Sequence, residues 1–337
     1  MKKPKSLNDK PFVTLQDNTL RVRFCQVGQG DTIILEVMEE GHLNLGIVDC
    51  KNEDGENAVI SYLDYLSKCK VQFRIAFLIL SHPHQDHYSG VAILLEYIKI
   101  NNISIERIGH NLNIHRDYPQ QKGTVHKTVA KIRNAIRLLR LQRSTPKVFF
   151  TNIASHTRLH PNINVIILAP EGDEIDEYID KTTMHIKKYK KLPPAQLANL
   201  LSTVIAVTNG KNYLLLTSDT EKKCFFNLSE ELNKALPEQL MFAAQIPHHG
   251  SEHNFHDDFW KNIKKHPNAT AVLSVGNNDP KHPSPVVFSK LIDFVYNVRK
   301  TAEPTKKYIR KNSGPLLIEI SDLVDDGRHD TIIEMGS

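Results

Sequence analysis

The chain has 337 residues, and its hydrophobic fraction of 40% and charged fraction of 24% are those of an ordinary globular protein. These fractions exclude a disordered or fibrous protein, and the length predicts one large α/β domain or two small ones. Lysine and arginine number 43 against 38 acidic residues, which gives a net charge of +5 with neutral histidine.

Hydrophobic runs separated by turn signals predict a chain in which strands and helices alternate. Strands are predicted at residues 20–25, 32–38, 44–49, 75–80, near 105 and 108, 148–152, 164–168, 203–208, 213–216, 241–246 and 271–275. Helices are predicted at residues 57–68, in a segment that ends at 100, around 129–139, and at 221–232 and 285–298. The many strands with helices between them predict an α/β protein with two sheets enclosed by helices, an αββα four-layer sandwich.

The cysteines, the first residues and one uncharged segment predict a cytoplasmic protein without a membrane partner. Cys25, Cys50, Cys69 and Cys224 lack the Cys-x-x-Cys spacing of a zinc module, and they are too few for a disulfide scaffold. The start of the chain lacks the apolar stretch of a signal peptide. Residues 192–210 are uncharged but too polar for a membrane span, and we expect a loop followed by a buried strand.

Basic residues are concentrated between residues 118 and 170, a segment without any acidic residue. Four apolar residues at helical spacing, from Val129 to Leu139, predict an amphipathic helix with a cationic outer face there. Further basic clusters lie at residues 187–191 and 306–311. The charge has two interpretations, ion pairing for solubility or a surface that attracts nucleic acid. Under the second interpretation, the residues expected to contact nucleic acid are Lys127, Lys131, Arg133, Arg137 and Arg140.

A histidine-rich loop follows the apolar run at residues 75–80 and reads His-x-His-x-Asp-His. Histidines two apart on an extended segment point the same way, so His82 and His84 can bind one cation. The turn that follows would aim Asp86 and His87 at a second cation. Imidazole and carboxylate together suit zinc or a neighbouring first-row metal. The alternative, a polar surface loop, is disfavoured by four ligand-type residues in six positions.

Two later segments place polar residues at predicted strand ends. Asp219 follows the strand at 213–216, and His248 and His249 follow the strand at 241–246. Functional groups gathered where strands end are typical of a ligand crevice. Alone, Asp219 would be a helix N-cap residue. Beside the histidine loop it becomes the shared carboxylate that two adjacent cations require.

These residues resemble the metallo-β-lactamase superfamily and, within it, the soluble β-lactamase-like nuclease domain of the DNA-uptake competence protein ComEC. The blocks that carry the resemblance lie between residues 20 and 298 and read VGQGDTIIL, IVDC, SHPHQDHYSG, YLLLTSD, IPHHGS and AVLSVGNNDPKHPSP. The resemblance implies the metallo-β-lactamase fold. It implies three segments: an extension at 1–19, a hydrolase domain at 20–298 with a basic insert at about 118–191, and a basic segment with terminal strands at 299–337.

The resemblance also implies a set of ligands for two metal ions. The first ion would be held by His82, His84 and Asp219. The second would be held by Asp86, His87, Asp219 and one of His248 and His249. We expect His249 to be the ligand and His248 to contact the phosphate or the leaving oxygen.

Other site residues follow from the same resemblance. Asp49 is expected to accept a histidine N–H behind the loop, or else to shape a strand-end turn. Many relatives have a further histidine ligand between the histidine loop and Asp219, whereas this chain has Asn199. Asn199 is expected to line the first metal site, or else that ion is held more loosely. His282 would donate to the departing oxygen, or else be a turn residue. Asp31 is expected to shape a turn, with contact to the site as the alternative. Surface positions are expected for His110, His115, His126, His156, His160 and His185.

The ligand set predicts a hydrolase with two divalent ions, Zn²⁺ or Mn²⁺, that uses a metal-activated water. Asp86 or a neighbouring histidine would take the proton of that water. The leading hypothesis is a nuclease that acts on DNA or RNA. One alternative is a small-molecule phosphodiesterase acting on a cyclic nucleotide or a phosphocholine-type ester, and another is a metal-stabilised non-catalytic binding module. The oligomeric state leaves no mark in the sequence.

Overall fold

The computed structural model describes residues 12, 15–17, 19–112, 124–141, 146–152, 156–189, 195–276, 281–302 and 331–335. The strands of these ranges are β1 (Leu20–Phe24), β2 (Ile33–Glu39), β3 (His42–Val48), β4 (Asn52–Glu53), β5 (Glu56–Asn57), β6 (Phe73–Ile79), β7 (Arg107–Gly109), β8 (Lys147–Phe149), β9 (His156–His160), β10 (Ile163–Ala169), β11 (Val204–Thr208), β12 (Asn212–Leu216), β13 (Leu240–Gln245), β14 (Lys265–Leu273), β15 (Asn297–Lys300) and β16 (Thr331–Met335). The helices are α1 (Ala58–Lys68), α2 (Gln85–Tyr88), α3 (Val91–Ile100), α4 (Thr124–Arg140), α5 (Gly172–Tyr189), α6 (Phe225–Ala235), α7 (Asp257–Asn262) and α8 (Pro285–Asp293).

Two seven-stranded mixed sheets form the centre of the fold. The strand order of the first sheet is β16–β1–β2–β3–β6–β7–β8. The strand order of the second sheet is β15–β14–β13–β12–β11–β10–β9. In the first sheet, β6 runs parallel to β3, and in the second, β13 runs parallel to β12. Parallel neighbours bring the carboxyl ends of these strands to one edge of each sheet.

The apolar residues form layers that confirm the predicted αββα sandwich. Ile47 of β3 packs in one cluster with Leu63 of α1 and Leu94 of α3, on the outer face of the first sheet. Leu35 of β2 and Val165 of β10 share a second cluster, which lies between the two sheets. Burial of both faces of each sheet is the main hydrophobic contribution to stability.

The second sheet has its own helical cover. Leu215 of β12 packs in a third cluster with Phe225 of α6 and Trp260 of α7. The apolar run of β6 is explained by the same layering, because Leu78 faces the outer helices and Phe77 faces the second sheet. No helix of the described ranges combines the length and the apolar character that crossing a bilayer requires.

Several elements differ from the sequence predictions, among them β9 and α7, which were not predicted, and the elements at the end of α8 and at α5. The helix predicted at 285–298 is wrong beyond Asp293, because Val295 adopts a φ of 64° and Asn297–Lys300 then pairs with β14. This edge strand is only partly buried, so it lacks the apolar signal of a core strand. Helix α5 was not predicted; few of its side chains are apolar, and its buried Tyr178 belongs to a small cluster with Leu200.

Candidate metal centre

Loops after three strands bring the predicted ligands together. The histidine loop follows β6 of the first sheet, while Asp219 and the His248–His249 pair follow β12 and β13 of the second sheet. The two sheets face each other, so the ends of these strands lie at the same edge of the sandwich. This is the position at which α/β sheets gather ligand-binding groups.

The side chains at this edge form two groups that share Asp219. One group contains Asp86, His87, Asp219 and His249, and the other contains His82, His84 and Asp219. Within each group, one potential ligand atom of every residue lies within 4.8 Å of the others. His87 Nε2 lies 3.3 Å from Asp219 Oδ1 and His82 Nε2 lies 3.6 Å from Asp219 Oδ2, so the two carboxylate oxygens face different groups.

The hydrogen-bonding state of these atoms fits metal ligands. His87 Nε2, Asp219 Oδ1 and both ring nitrogens of His249 are buried and make no hydrogen bond among the described residues. Unpaired buried polar atoms cost free energy of about 1–3 kcal/mol each. Coordination of a cation would satisfy them, and nitrogen with carboxylate oxygen is a ligand set that zinc accepts.

Asp49 orients the His87 ring from behind. Its Oδ2 lies 2.8 Å from His87 Nδ1, and its Oδ1 accepts the Ser81 backbone N–H at 2.8 Å. The Ser81 hydroxyl also donates to Asp49 Oδ2 at 2.6 Å. With Nδ1 held in this way, Nε2 of His87 is the nitrogen that faces Asp219. Such partners fix the tautomer and the direction of a ligand histidine.

The charged side chains of the two ligand groups shift one another's pKa values. Burial would raise the pKa of the Asp219 carboxyl, but His87 and His249 outweigh burial and hold that pKa well below its ordinary value. Burial would lower the pKa of His249, whereas Asp219 and Asp86 raise it, with a net value of about 9. Burial and the neighbouring His87 and His84 hold the pKa of His82 well below its ordinary value. Asp219 therefore stays ionised, as a metal ligand must.

The turn after β13 presents its two histidines differently. His248 and His249 adopt φ values of 48° and 58°, in the left-handed region of backbone conformation that residues other than glycine rarely occupy. The side chain of His249 is 1% exposed and its Nε2 lies 3.5 Å from Asp86 Oδ2. The side chain of His248 is 28% exposed and is held by Asn254, whose Oδ1 lies 2.9 Å from His248 Nδ1. His249 thus lies among the ligand atoms, while His248 lies at the open side.

His282 and Asn199 lie beside His248, outside the two ligand groups. The ring of His282 stacks on that of His248, with centroids 5.8 Å apart and planes 15° apart. Asn199 is buried, its Oδ1 makes no hydrogen bond among the described residues, and it lines the same cleft as the two histidines. Both residues therefore line a cleft that reaches His248, whose Nε2 lies 3.7 Å from Asp219 Oδ2.

The predicted nucleic-acid contacts lie on α4, in the helical layer outside the first sheet. Lys127, Lys131, Arg137 and Arg140 are exposed. Arg133 is half-buried and donates to the Leu112 backbone carbonyl. The basic residues at 190–191 and 306–311, and His115, lie outside the described residues.

Two residues that the sequence did not assign to the centre lie beside it. The expectation that Asp31 only shapes a turn is wrong, because Asp31 Oδ2 lies 3.5 Å from His87 Nδ1. Gln245 donates to the same oxygen at 2.7 Å and accepts the Ser218 N–H at 3.0 Å. A polar residue at the end of the apolar strand β13 was the available signal for Gln245. The close approach of this loop requires Gly30, where a Cβ atom would collide with the Asp86 carbonyl oxygen.

Among the remaining histidines whose side chains the structure describes, two are not at the surface. His110 is buried, and its Nδ1 accepts the Leu112 N–H at 3.2 Å. His160 is also buried, and its Nδ1 accepts the Asn162 N–H at 3.1 Å. The surface prediction is wrong for both; His110 directly follows β7 and His160 is the last residue of β9. His156 is exposed, as predicted.

Comparison with known proteins gives similarities in structure alone. No family model and no curated protein matches the sequence. The metallo-β-lactamase fold protein YhfI from Bacillus subtilis is similar at 11% identity and a TM-score of 0.44, over 84% of this chain and 97% of that one. Zn²⁺-bound PqqB from Methylobacterium extorquens is similar at 8% identity and a TM-score of 0.45, over 83% of this chain and 97% of that one. The DIM-1 metallo-β-lactamase is similar at 13% identity and a TM-score of 0.33, over 68% of this chain and 85% of that one. The αββα assignment rests on the chain's own sheets and their packing.

Proposed function

We propose that the chain is a dinuclear-metal-dependent phosphodiester hydrolase of the metallo-β-lactamase superfamily. The observation that carries the proposal is the pair of ligand groups that share Asp219, together with their unpaired buried atoms. His82, His84 and Asp219 would hold one divalent ion, Zn²⁺ or Mn²⁺. Asp86, His87, Asp219 and His249 would hold the other.

The chemistry divides between the ions and the residues around them. Divalent ions in these two positions would lower the pKa of an attacking water and neutralise charge on a phosphoryl group. Asp86 is assigned the proton of that water, because it is a carboxylate that is partly open to a cleft. His248 is assigned to the phosphate, and His282, stacked on it, to the proton that the departing oxygen requires.

Nucleic acid is the substrate that we propose. The exposed basic residues of α4 support it, because a polyphosphate chain is attracted by such a surface. The motif resemblance to the ComEC nuclease domain supports it as well. Cysteines Cys25, Cys50, Cys69 and Cys224 are free thiols, which supports a cytoplasmic location.

The proposal is tested by assaying metal-loaded protein on labelled linear DNA and on a chromogenic phosphodiester. We expect cleavage by the wild-type chain and a loss of at least about 100-fold in kcat/KM for His84→Ala, which removes one member of the smaller ligand group. The control is His156→Ala, at an exposed histidine of another element. Absence of cleavage of both substrates, or equal cleavage by His84→Ala, would overturn the proposal.

A further inference from the structure

Two clefts open at the candidate centre, and they share no lining residue. The first has a volume of about 490 Å³ and includes Asp86 among its lining residues. The second has a volume of about 980 Å³ and includes His248 and His282. Asp219 lines neither cleft but lies between them. On the side of the second cleft, His248 Nε2 lies 3.7 Å from Asp219 Oδ2. On the side of the first cleft, His249 Nε2 lies 3.8 Å from Asp219 Oδ1 and 3.5 Å from Asp86 Oδ2. The centre therefore lies between two spaces that are both open to solvent.

Most of the residues that line the two clefts have polar or charged side chains. The first cleft is lined by Gln29, Lys51, Asn52, Gln85, Asp86 and Ser89. The second presents Lys222, Lys223 and Lys281 beside its histidines, with Glu221 and Glu252 as its acidic residues. Pockets for small organic ligands are lined mainly by apolar and aromatic side chains. Amide, hydroxyl and ammonium groups are instead those that contact the phosphates and sugars of nucleic acids.

We propose that the substrate is an internal stretch of a nucleic-acid strand that occupies both clefts at once, so that the enzyme is an endonuclease. The inference rests on the proposed function. Water adds to the phosphorus, one phosphorus–oxygen bond of the strand breaks, and the departing oxygen takes a proton. The products are a phosphate monoester on one new end and a hydroxyl on the other. Because the strand continues on both sides of the centre, the reaction requires no chain end.

Cleavage of a closed substrate tests this directly. Metal-loaded protein is incubated with circular and linear single-stranded DNA of the same sequence and with a chromogenic phosphodiester, and the same comparison is made with circular and linear RNA. We expect circles of at least one polymer to be cut at a rate within about threefold of the linear strand. Persistence of all circles while linear strands or the small diester are cleaved overturns the endonuclease inference alone. Absence of any cleavage overturns the proposed function with it.

Binding provides a readout that does not depend on activity. Anisotropy of a labelled twelve-nucleotide strand is measured with metal-free protein. Gln85→Ala in the first cleft and Lys222→Ala in the second are each expected to weaken binding about threefold to tenfold, and the lysine change to reduce the salt slope by about 1. Both residues are exposed, so the fold should tolerate the changes.

The matched control is Lys211→Ala, which removes an exposed lysine from the turn before β12, at the opposite end of that strand from Asp219. Its binding should equal that of the wild-type chain. If one strand spans both clefts, the fold-loss in affinity of the double variant Gln85→Ala with Lys222→Ala should equal the product of the two single fold-losses. Wild-type binding by either cleft variant, or a loss for Lys211→Ala equal to theirs, would contradict the inference.

Discussion

Asp31 and Gln245 join the loops that carry different candidate ligands. The Asp31 N–H donates to the Asp86 carbonyl at 3.1 Å, and its Oδ2 accepts from Gln245 at 2.7 Å. Gln245 in turn holds the Ser218 N–H, next to Asp219. Both side chains are buried. This contact between the two sheets therefore sets the position of Asp86 relative to Asp219.

A charge exchange tests that contact. Gln245→Glu places a second carboxylate against Asp31, and we expect a loss of about 1–3 kcal/mol in the free energy of unfolding and weaker zinc binding. Adding Asp31→Asn restores a donor opposite the new carboxylate. The double variant should therefore recover part of the lost stability and part of the lost zinc affinity. Urea unfolding and competition with a chelator measure the two quantities. Losses that simply add, with no recovery, would show that the two residues are not coupled.

His110 predicts a pH dependence of stability. Burial, aided by Arg133, lowers the pKa of His110 to about 4, against about 6.5 in an unfolded chain. The unfolded state therefore binds more protons between these values. The stabilising contribution is fully present above about pH 6.5 and is lost as the pH falls towards about 4, by up to about 3 kcal/mol.

The test compares urea unfolding of the wild-type chain with His110→Gln, whose amide oxygen can still accept the Leu112 N–H. The free energy of unfolding should fall less steeply on acidification for this variant. His156→Gln, at an exposed position, should keep the wild-type slope. Parallel curves for the wild-type chain and His110→Gln would contradict the assignment.

At the scale of elements, Asn57 connects the start of α1 with the helices after the histidine loop. Its Oδ1 accepts the Ile60 N–H at 3.1 Å, which caps α1, and its Nδ2 donates to the Gly90 carbonyl at 3.1 Å. Gly90 precedes α3 and follows α2, the helix that contains Asp86 and His87. The cap of one helix thus supports the loop that carries the ligands.

Asn57→Ala removes these two hydrogen bonds and a weaker one from the Cys50 thiol to Asn57 Oδ1. We expect it to lower the free energy of unfolding by about 2 kcal/mol. Asn57→Asp keeps the capping oxygen but cannot donate to Gly90, so its loss should be the smaller of the two. Thermal and urea unfolding of both variants measure the difference. Equal losses would show that the capping bond contributes nothing.

The sequence predicted those elements whose signals are local. Central strands such as β6 and β12 have apolar runs that their double burial requires, and the histidine loop has its ligands within six residues. The prediction of a helix up to residue 298 was wrong because the edge strand β15 is mostly polar and only partly buried, so it has no clear strand signal. Asp31 and Gln245 are 214 positions apart, so only the packing of one sheet on the other brings them together.

At the scale of the whole molecule, the first sheet depends on a strand from the far end of the chain. Thr331–Met335 pairs antiparallel with β1 along all five residues, from Leu20 to Phe24. Without it, β1 would present unpaired backbone groups at the edge of the sheet. Exposed edges of this kind pair with other chains and cause aggregation.

A chain that ends at residue 330 tests this contribution. We expect increased light scattering on warming and a loss of at least about 1 kcal/mol in the free energy of unfolding. The control ends at residue 335, so it lacks only the last two residues and keeps the strand. Equal scattering and stability of the two truncated chains would show that the β16–β1 pairing does not protect the sheet.

The proposed sharing of Asp219 by two ions is tested most directly by anomalous diffraction from crystals of the zinc-loaded protein. Two peaks about 3.5–4 Å apart are expected on either side of the Asp219 carboxylate. One should lie beside His82 and His84, and the other beside Asp86, His87 and His249. A single peak, or peaks away from Asp219, would contradict the dinuclear centre and the hydrolytic function proposed from it.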